Sequence, residues 1–274
     1  MIDPTARVAE GARIGEGVEI GPYCIVGPNV ELGDGVRLIG HVHVAGVTQI
    51  GAGTVVYPFA SLGTSPQSVH YRGGATRLVI GPHCELREGV TINTGTEDGG
   101  GLTSVGEGCL FMVGAHVGHD CQVGNGVTFA NLVTLGGRVS VGDNAFLGGF
   151  VAVHQFCRIG EGVMVGAMTP VRTDIISFGM ARDERLRGLN VVGLRRRGAT
   201  RADLQRLRQA YRMLFFGDGV FADRLEQVAR DFEGEPRIGK IIAFIRAGGK
   251  RALMLPRTKD DEIKTDDAGD EVVA

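Results

Sequence analysis

His119, Gly137 and Gln155 are evenly spaced, the same interval separates Gly118, Gly136 and His154, and it recurs between Asp120 and Arg138. If the chain completes one coil over that interval, these sets form adjacent columns. An imidazole, a carboxylate, a glycine N–H and an amide then converge within about two strand spacings, roughly 10 Å. Such a group suits acyl transfer from a thioester to a hydroxyl. A neutral imidazole, which titrates near neutrality, takes the hydroxyl proton as the oxygen attacks, while Asp120 orients the ring. A glycine N–H one coil away stabilises the oxyanion of the tetrahedral intermediate, a contribution of roughly a few kcal/mol. The plainer alternative is that His116 and His119 decorate a surface turn.

The coil length comes from the apolar residues. Steps of six run through Ile2, Val8, Ile14, Ile20, Val26, Leu32, Leu38, Val44, Ile50, Val56 and Leu62, and the phase returns at Ile80, Leu86 and Ile92. Three such hexads equal the interval of the polar columns. A second array, one residue out of phase, runs from Val105 and Phe111 through Val117, Val123, Phe129 and onward to Val171. Residues 63–79 read as a loop replacing two strands, and a second loop around Thr94 to Ser104, with Gly99-Gly100-Gly101, absorbs the slip. As a rule the residue four places after each aliphatic is Ala, Val, Thr or Cys, and all five cysteines (Cys24, Cys84, Cys109, Cys121, Cys157) fall in that slot. They read as small buried hydrophobes, neither ligands nor nucleophiles. This grammar predicts a mainly β protein, a left-handed parallel β-helix of hexapeptide repeats with three short strands to a coil. About nine or ten coils make a prism roughly 45 Å long.

Near residue 180 the spacing turns helical. Thr200-Arg201-Ala202-Asp203 reads as a capping box, with Leu204, Leu207, Tyr211 and Leu214 on one face. Further helices are expected around Phe221 to Phe232 and Ile238 to Ile245. The predicted organisation is a β-helix over 1–179, a small α-helical C-terminal domain over 180–257, and an acidic tail over 258–274. From Lys259 the tail carries seven acids against two lysines, and disorder is expected there.

Composition narrows the class. Of 274 residues 45 are Gly, about twice the ordinary ~7% share, and none is Trp. A net charge of −2 gives no general pull toward nucleic acid. A mean hydropathy of +0.08 comes without an apolar run of membrane-spanning length. Met1-Ile2-Asp3-Pro4 lacks the features of a secretory signal, and the odd cysteine count contains no Cys-x-x-Cys pair. A reducing, cytoplasmic setting is expected.

The longer motifs are more specific than the repeat. Gly99-Gly100-Gly101-Leu102-Thr103, the run from Ala115 through His119 and Asp120 to Cys121, Val153-His154-Gln155-Phe156-Cys157 and the segment from Asn190 to Gly198 together resemble the UDP-N-acetylglucosamine acyltransferases of lipid A biosynthesis. The resemblance covers nearly the whole chain apart from the acidic tail. A related N-acyltransferase carries an extra N-terminal uridine-binding domain, whereas this array begins at Ile2. The resemblance implies a homotrimer with sites between neighbouring prisms. In those sites an (R)-3-hydroxyacyl chain passes from acyl carrier protein to the 3-position of a UDP-sugar, with no metal, cofactor or acyl-enzyme. It makes His119 the general base, Asp120 its partner and Gly137 the oxyanion donor. His116, His154, Gln155 and Gln67 line the donor and acceptor pocket. Asn190, Arg196 and Arg197 hold the nucleotide, where a forked guanidinium suits phosphate.

Departures from the family pattern cluster where the sugar belongs. Ser68 stands for the usual Asp, His70 for Lys, Asn93 and Arg138 for pocket histidines, and Val192 for a nucleotide-side Glu. They raise the alternative of a 3-amino sugar acceptor and an amide product. Under neutral drift, Arg138 forms a surface pair with Asp120 worth well under ~1 kcal/mol. Ala167 matches the end of the acyl groove, where a larger side chain resembles a shorter ruler; being slightly larger than the Gly of long-chain members, it implies a chain of about ten to fourteen carbons. Ten arginines against three acids between Arg182 and Arg212 suit docking of an acidic carrier protein. Two readings of other classes are a zinc carbonic anhydrase using His116, His119 and His154, and a non-catalytic scaffold.

Overall fold

The hexads become short strands, and each strand turns one side of the chain inward. The computed structural model describes residues 1–256. Three parallel sheets form the faces of a triangular prism that winds left-handed. The first face holds nine strands, from Arg7–Val8 to Pro170–Val171, and the second eight, from Arg13–Ile14 to Arg158–Ile159. The third begins at Glu19–Ile20 and ends in the antiparallel hairpin Gly179–Arg182 and Arg185–Leu189. Thr134 pairs with His116 on one side and Ala152 on the other, each three hexads away, so the coil length is the one the apolar spacing implies.

In His116–Val117, Thr134–Leu135 and Ala152–Val153 the second residue is buried and the first faces outward. Stacked aliphatics therefore form one narrow core along the axis. Within it the rings of Phe111 and Phe129 lie 4.4 Å apart, nearly parallel. All five cysteines are buried and free.

Both interruptions of the repeat leave the same edge, between the first and second faces. Ser61 pairs with Thr91, five hexads on rather than three, and strand Arg77–Ile80 pairs with Val47–Ile50. The expectation that residues 63–79 replace two strands is therefore corrected. No strand is lost, and residues 65–76 are added at a corner. The phase survives because the insert spans two hexads. Thr91 pairs with His116, four hexads and one position on, so the second insert is one position longer than a hexad and shifts the phase by one.

Strand pairing continues past residue 179 to Leu189, and helices follow: α1 (Val191–Arg196), α2 (Arg201–Phe216), α3 (Phe221–Asp231) and α4 (Pro236–Arg246). Thr200 and Asp203 form the expected capping box. Leu204, Leu207, Tyr211 and Leu214 of α2 are buried, as are Leu225 of α3 and Ile241 of α4. After α4 the chain returns to the prism, where Asp174 N–H donates to Ala252 O at 2.8 Å and Met254 N–H to Asp174 O at 2.7 Å. The buried Asp174 carboxylate takes Arg158 Nε at 2.7 Å. The acidic tail lies outside the described residues. Among those described, no helix is long and apolar enough to cross a membrane.

Phe129→Ala removes a fully buried ring from the centre of the stack. Its expected cost is about 3–5 kcal/mol in chemical denaturation, and a loss below ~1 kcal/mol would contradict a tightly packed core at that coil.

Candidate active site

The edge that emits both loops also carries the polar columns. His119 and Asp120 occupy the corner after strand His116–Val117, Gly137 and Arg138 the next, and His154 and Gln155 the one after. Asp120 and Arg138 take left-handed backbone, φ 60° and 62°, at the bend.

His119 Nδ1 lies 2.7 Å from Asp120 Oδ2, and the Asp120 carboxylate is buried. The same carboxylate accepts Thr96 N–H at 2.7 Å and Thr96 Oγ1–H at 2.5 Å, while Asp120 N–H donates to Thr103 Oγ1 at 2.8 Å. A carboxylate held this way accepts the Nδ1 proton and leaves the lone pair on His119 Nε2. Glycine at 99 has a steric cause, because a Cβ there would overlap the Asp120 carboxylate. A Cβ at Gly137 would overlap His119 Nε2, so this backbone lies directly against the imidazole. Gly137 O accepts Phe156 N–H at 3.1 Å, while among the described residues the Gly137 N–H has no acceptor. The His119 imidazole and the Gly137 backbone thus meet within one chain.

Around this centre the loops interlock. Glu97 Oε1 accepts Gly74 N–H at 2.6 Å, and Thr76 Oγ1 donates to Thr94 Oγ1 at 3.0 Å. Arg138 pairs with Asp98 at 2.7 Å and stays 3.8 Å from Asp120, so its main partner is the loop acid. Arg138 holds the Asp98 carboxyl below its ordinary range. His116 Nδ1 is 2.7 Å from Thr91 Oγ1, and burial keeps its imidazole below the usual histidine range. Asn93 is buried, donates to Thr64 Oγ1 and Ser65 O at 3.1 Å each, and leaves its Oδ1 unpartnered. Gln67, Ser68 and His70 ride on the first loop, where Ser68 Oγ accepts His70 N–H at 3.3 Å.

Other expected site residues lie elsewhere in this chain. Asn190 caps α1, accepting Gly193 N–H at 2.9 Å and donating to Gly162 O at 2.9 Å, and Arg197 reaches the same carbonyl at 3.4 Å. Burial lowers the Arg197 guanidinium from its ordinary range. Arg196 is exposed on the same short helix. Gly162 belongs to the edge between the second and third faces. Ala167 sits on the remaining edge, between strands Met164–Val165 and Pro170–Val171. One chain therefore does not gather these residues around His119. His116, His119 and His154 each spend Nδ1 on a different partner, and among the described residues no three His, Cys, Asp or Glu side chains group as a metal site.

Sequence reasoning missed Thr96 and Asp98, though both flank the glycine run. It also missed Arg251, whose Nη2 lies 2.7 Å from His154 Nδ1. No local spacing marks a contact across nearly a hundred residues.

A hexapeptide β-helix carrying a His–Asp pair against a glycine backbone defines a transferase of the hexapeptide class. The model for bacterial transferase hexapeptide repeats matches residues 11–38 and 103–137. Residues 174–254 match the model described as UDP-N-acetylglucosamine O-acyltransferase, domain 2. The acyl-[acyl-carrier-protein]–UDP-N-acetylglucosamine O-acyltransferase of Azorhizobium caulinodans is 58% identical over 258 residues, 93% of this chain and 95% of that one. Its Agrobacterium fabrum counterpart is 45% identical over the same shares. Among solved structures, the Moraxella catarrhalis UDP-N-acetylglucosamine O-acyltransferase superposes with a TM-score of 0.89 at 37% identity, covering 92% of this chain and 99% of that one. The chain belongs to the UDP-N-acetylglucosamine O-acyltransferase family.

Gly137→Ala tests the contact between backbone and imidazole. The added methyl displaces the His119 ring and should lower turnover by roughly 10²-fold or more, with the melting temperature little changed. Wild-type turnover would show that Nε2 does not work from this position.

Proposed function

We propose that the protein transfers an (R)-3-hydroxyacyl chain from acyl carrier protein to the 3-hydroxyl of UDP-N-acetylglucosamine, the first step of lipid A biosynthesis. The observation that carries this reading is His119 Nε2 lying against the Gly137 backbone, with Nδ1 fixed by a buried carboxylate. His119 Nε2 takes the sugar hydroxyl proton as that oxygen attacks the thioester carbonyl. The oxyanion forms beside the Gly137 N–H. When the intermediate collapses, the ester C–O bond remains, the C–S bond breaks, and the imidazolium returns its proton to the carrier thiolate. Asp120 steadies the ring in both charge states.

A second copy completes the site. Asn190, Arg196 and Arg197, for the nucleotide, and Ala167, for the acyl end, stand on edges other than that of His119, so an assembly of prisms would be needed to gather them. The edge that holds Ala167 also exposes Tyr23, Phe59, Leu132, Phe150 and Met168, an apolar column suited to burial against another prism. We therefore assign a homotrimer with sites between prisms. Arg195 and Arg201 face solvent around the nucleotide-binding arginines and suit an acidic carrier protein. Five free, buried thiols fit a cytoplasmic setting.

The test is mass spectrometry of products from purified protein, 3-hydroxyacyl carrier proteins and either UDP-N-acetylglucosamine or its 3-amino analogue. The expected product is the ester, lost by about 10²–10⁴-fold in His119→Ala. Near-normal turnover in that variant would overturn the base assignment. An amide made from the amino sugar alone would move the acceptor atom and make Ser68, His70 and Asn93 its determinants. Ala167→Met should shift the preferred donor to a shorter chain, and unchanged selectivity would remove Ala167 from that role.

A further inference from the structure

The segment after α4 reaches the catalytic edge from the far end of the described chain. Its path is set by the hydrogen bonds that Ala252 and Met254 exchange with the backbone of Asp174, whose buried carboxylate is clamped by Arg158. This brings Lys250 over the Phe156 ring, Nζ 4.4 Å from its centroid, a ring that Arg138 also approaches, Cζ at 5.4 Å. Arg251 then spans one corner of the site. Its Nε donates to Gln155 O at 3.1 Å, and its Nη2 lies 2.7 Å from His154 Nδ1.

A guanidinium has only donors, so the 2.7 Å contact requires a lone pair on His154 Nδ1. The competing contact from that nitrogen to Gln155 O is longer, 3.3 Å, and Arg251 already satisfies this carbonyl. The ring proton must sit on Nε2. At His119 the opposite holds, since Nδ1–H donates to the Asp120 carboxylate and the lone pair is on Nε2.

We propose that Arg251 is a positioning residue that locks His154 as the neutral Nε2–H tautomer, making it a hydrogen-bond donor to a substrate oxygen while Asp120 makes His119 an acceptor. The two histidines, two coils apart on one edge, are set in opposite tautomers by opposite charges. A cation holds the donor and a carboxylate holds the base. This inference rests on the reading that His154 lines the acyl-transfer site.

The experiment is a double-mutant cycle on the full-length protein, read as kcat and KM for acyl transfer, together with nitrogen-15 spectra of histidine-labelled protein. Arg251→Met should lower kcat/KM by roughly tenfold with an unchanged melting temperature, and Arg251→Lys, which still donates, should recover most of it. In a His154→Gln background the same change should cost less than about twofold, because the residue acts through His154. The spectra should report protonated Nε2 and bare Nδ1 at His154, and lose that preference in Arg251→Met. Equal losses with and without His154, or a protonated Nδ1 in the unaltered protein, would overturn the proposal. If His154→Gln alone turns over normally, the placement of His154 in the site fails and the proposal falls with it. Normal turnover in Arg251→Met beside an impaired His154→Gln sinks the proposal alone.

Discussion

Each coil of this protein hangs on the one before it through parallel backbone hydrogen bonds, and the return after every three hexads is the constraint from which the site follows. Because Thr134 pairs with His116 and Ala152, residues one coil apart are neighbours in space even though no local turn joins them. The apolar residue of every hexad points into the axis and holds the repeat in register, since a slip of one residue would turn core side chains outward. What remains for chemistry is the outward set, and above all the corners, where Asp120 and Arg138 adopt left-handed backbone.

The edge that carries His119 differs from the other two because both inserts leave the prism there. The second wraps a carboxylate, and the first packs against the second. Asp120 is buried by the loop that supplies Thr96, and Gly99 is glycine because that carboxylate fills the space a side chain would need. A buried carboxylate without partners is costly, so the Thr96 donors and the imidazole belong to one unit. Arg138 extends the unit outward, taking Asp98 as its partner and leaving Asp120 to His119. The C-terminal segment adds a cation on the far side, held by the buried Asp174 pair.

The remaining two edges complete the division of labour. Asn190 and Arg197 converge on Gly162, and Ala167 lies among exposed apolar residues, each away from the His–Asp corner. Bringing these residues to the His119 corner would take the assembly of prisms proposed above.

By itself, the sequence determined the coil length, the β-helix, the three helices from Thr200 onward and the column that joins His119, Gly137 and Gln155, but not the strand hairpin that ends at Leu189 where helical spacing is expected. All of these follow from periodic burial and from residues a fixed interval apart, which a linear string displays directly. The tertiary structure alone decided that the first loop is an addition rather than a replacement for two strands, because an insert of two whole hexads leaves the phase intact and only strand pairing reveals it. It decided that Arg138 belongs to Asp98, that Thr96 holds Asp120, and that Arg251 comes to His154 across 97 positions. These contacts have no period, being made by loops and a returning segment whose paths depend on what they pack against.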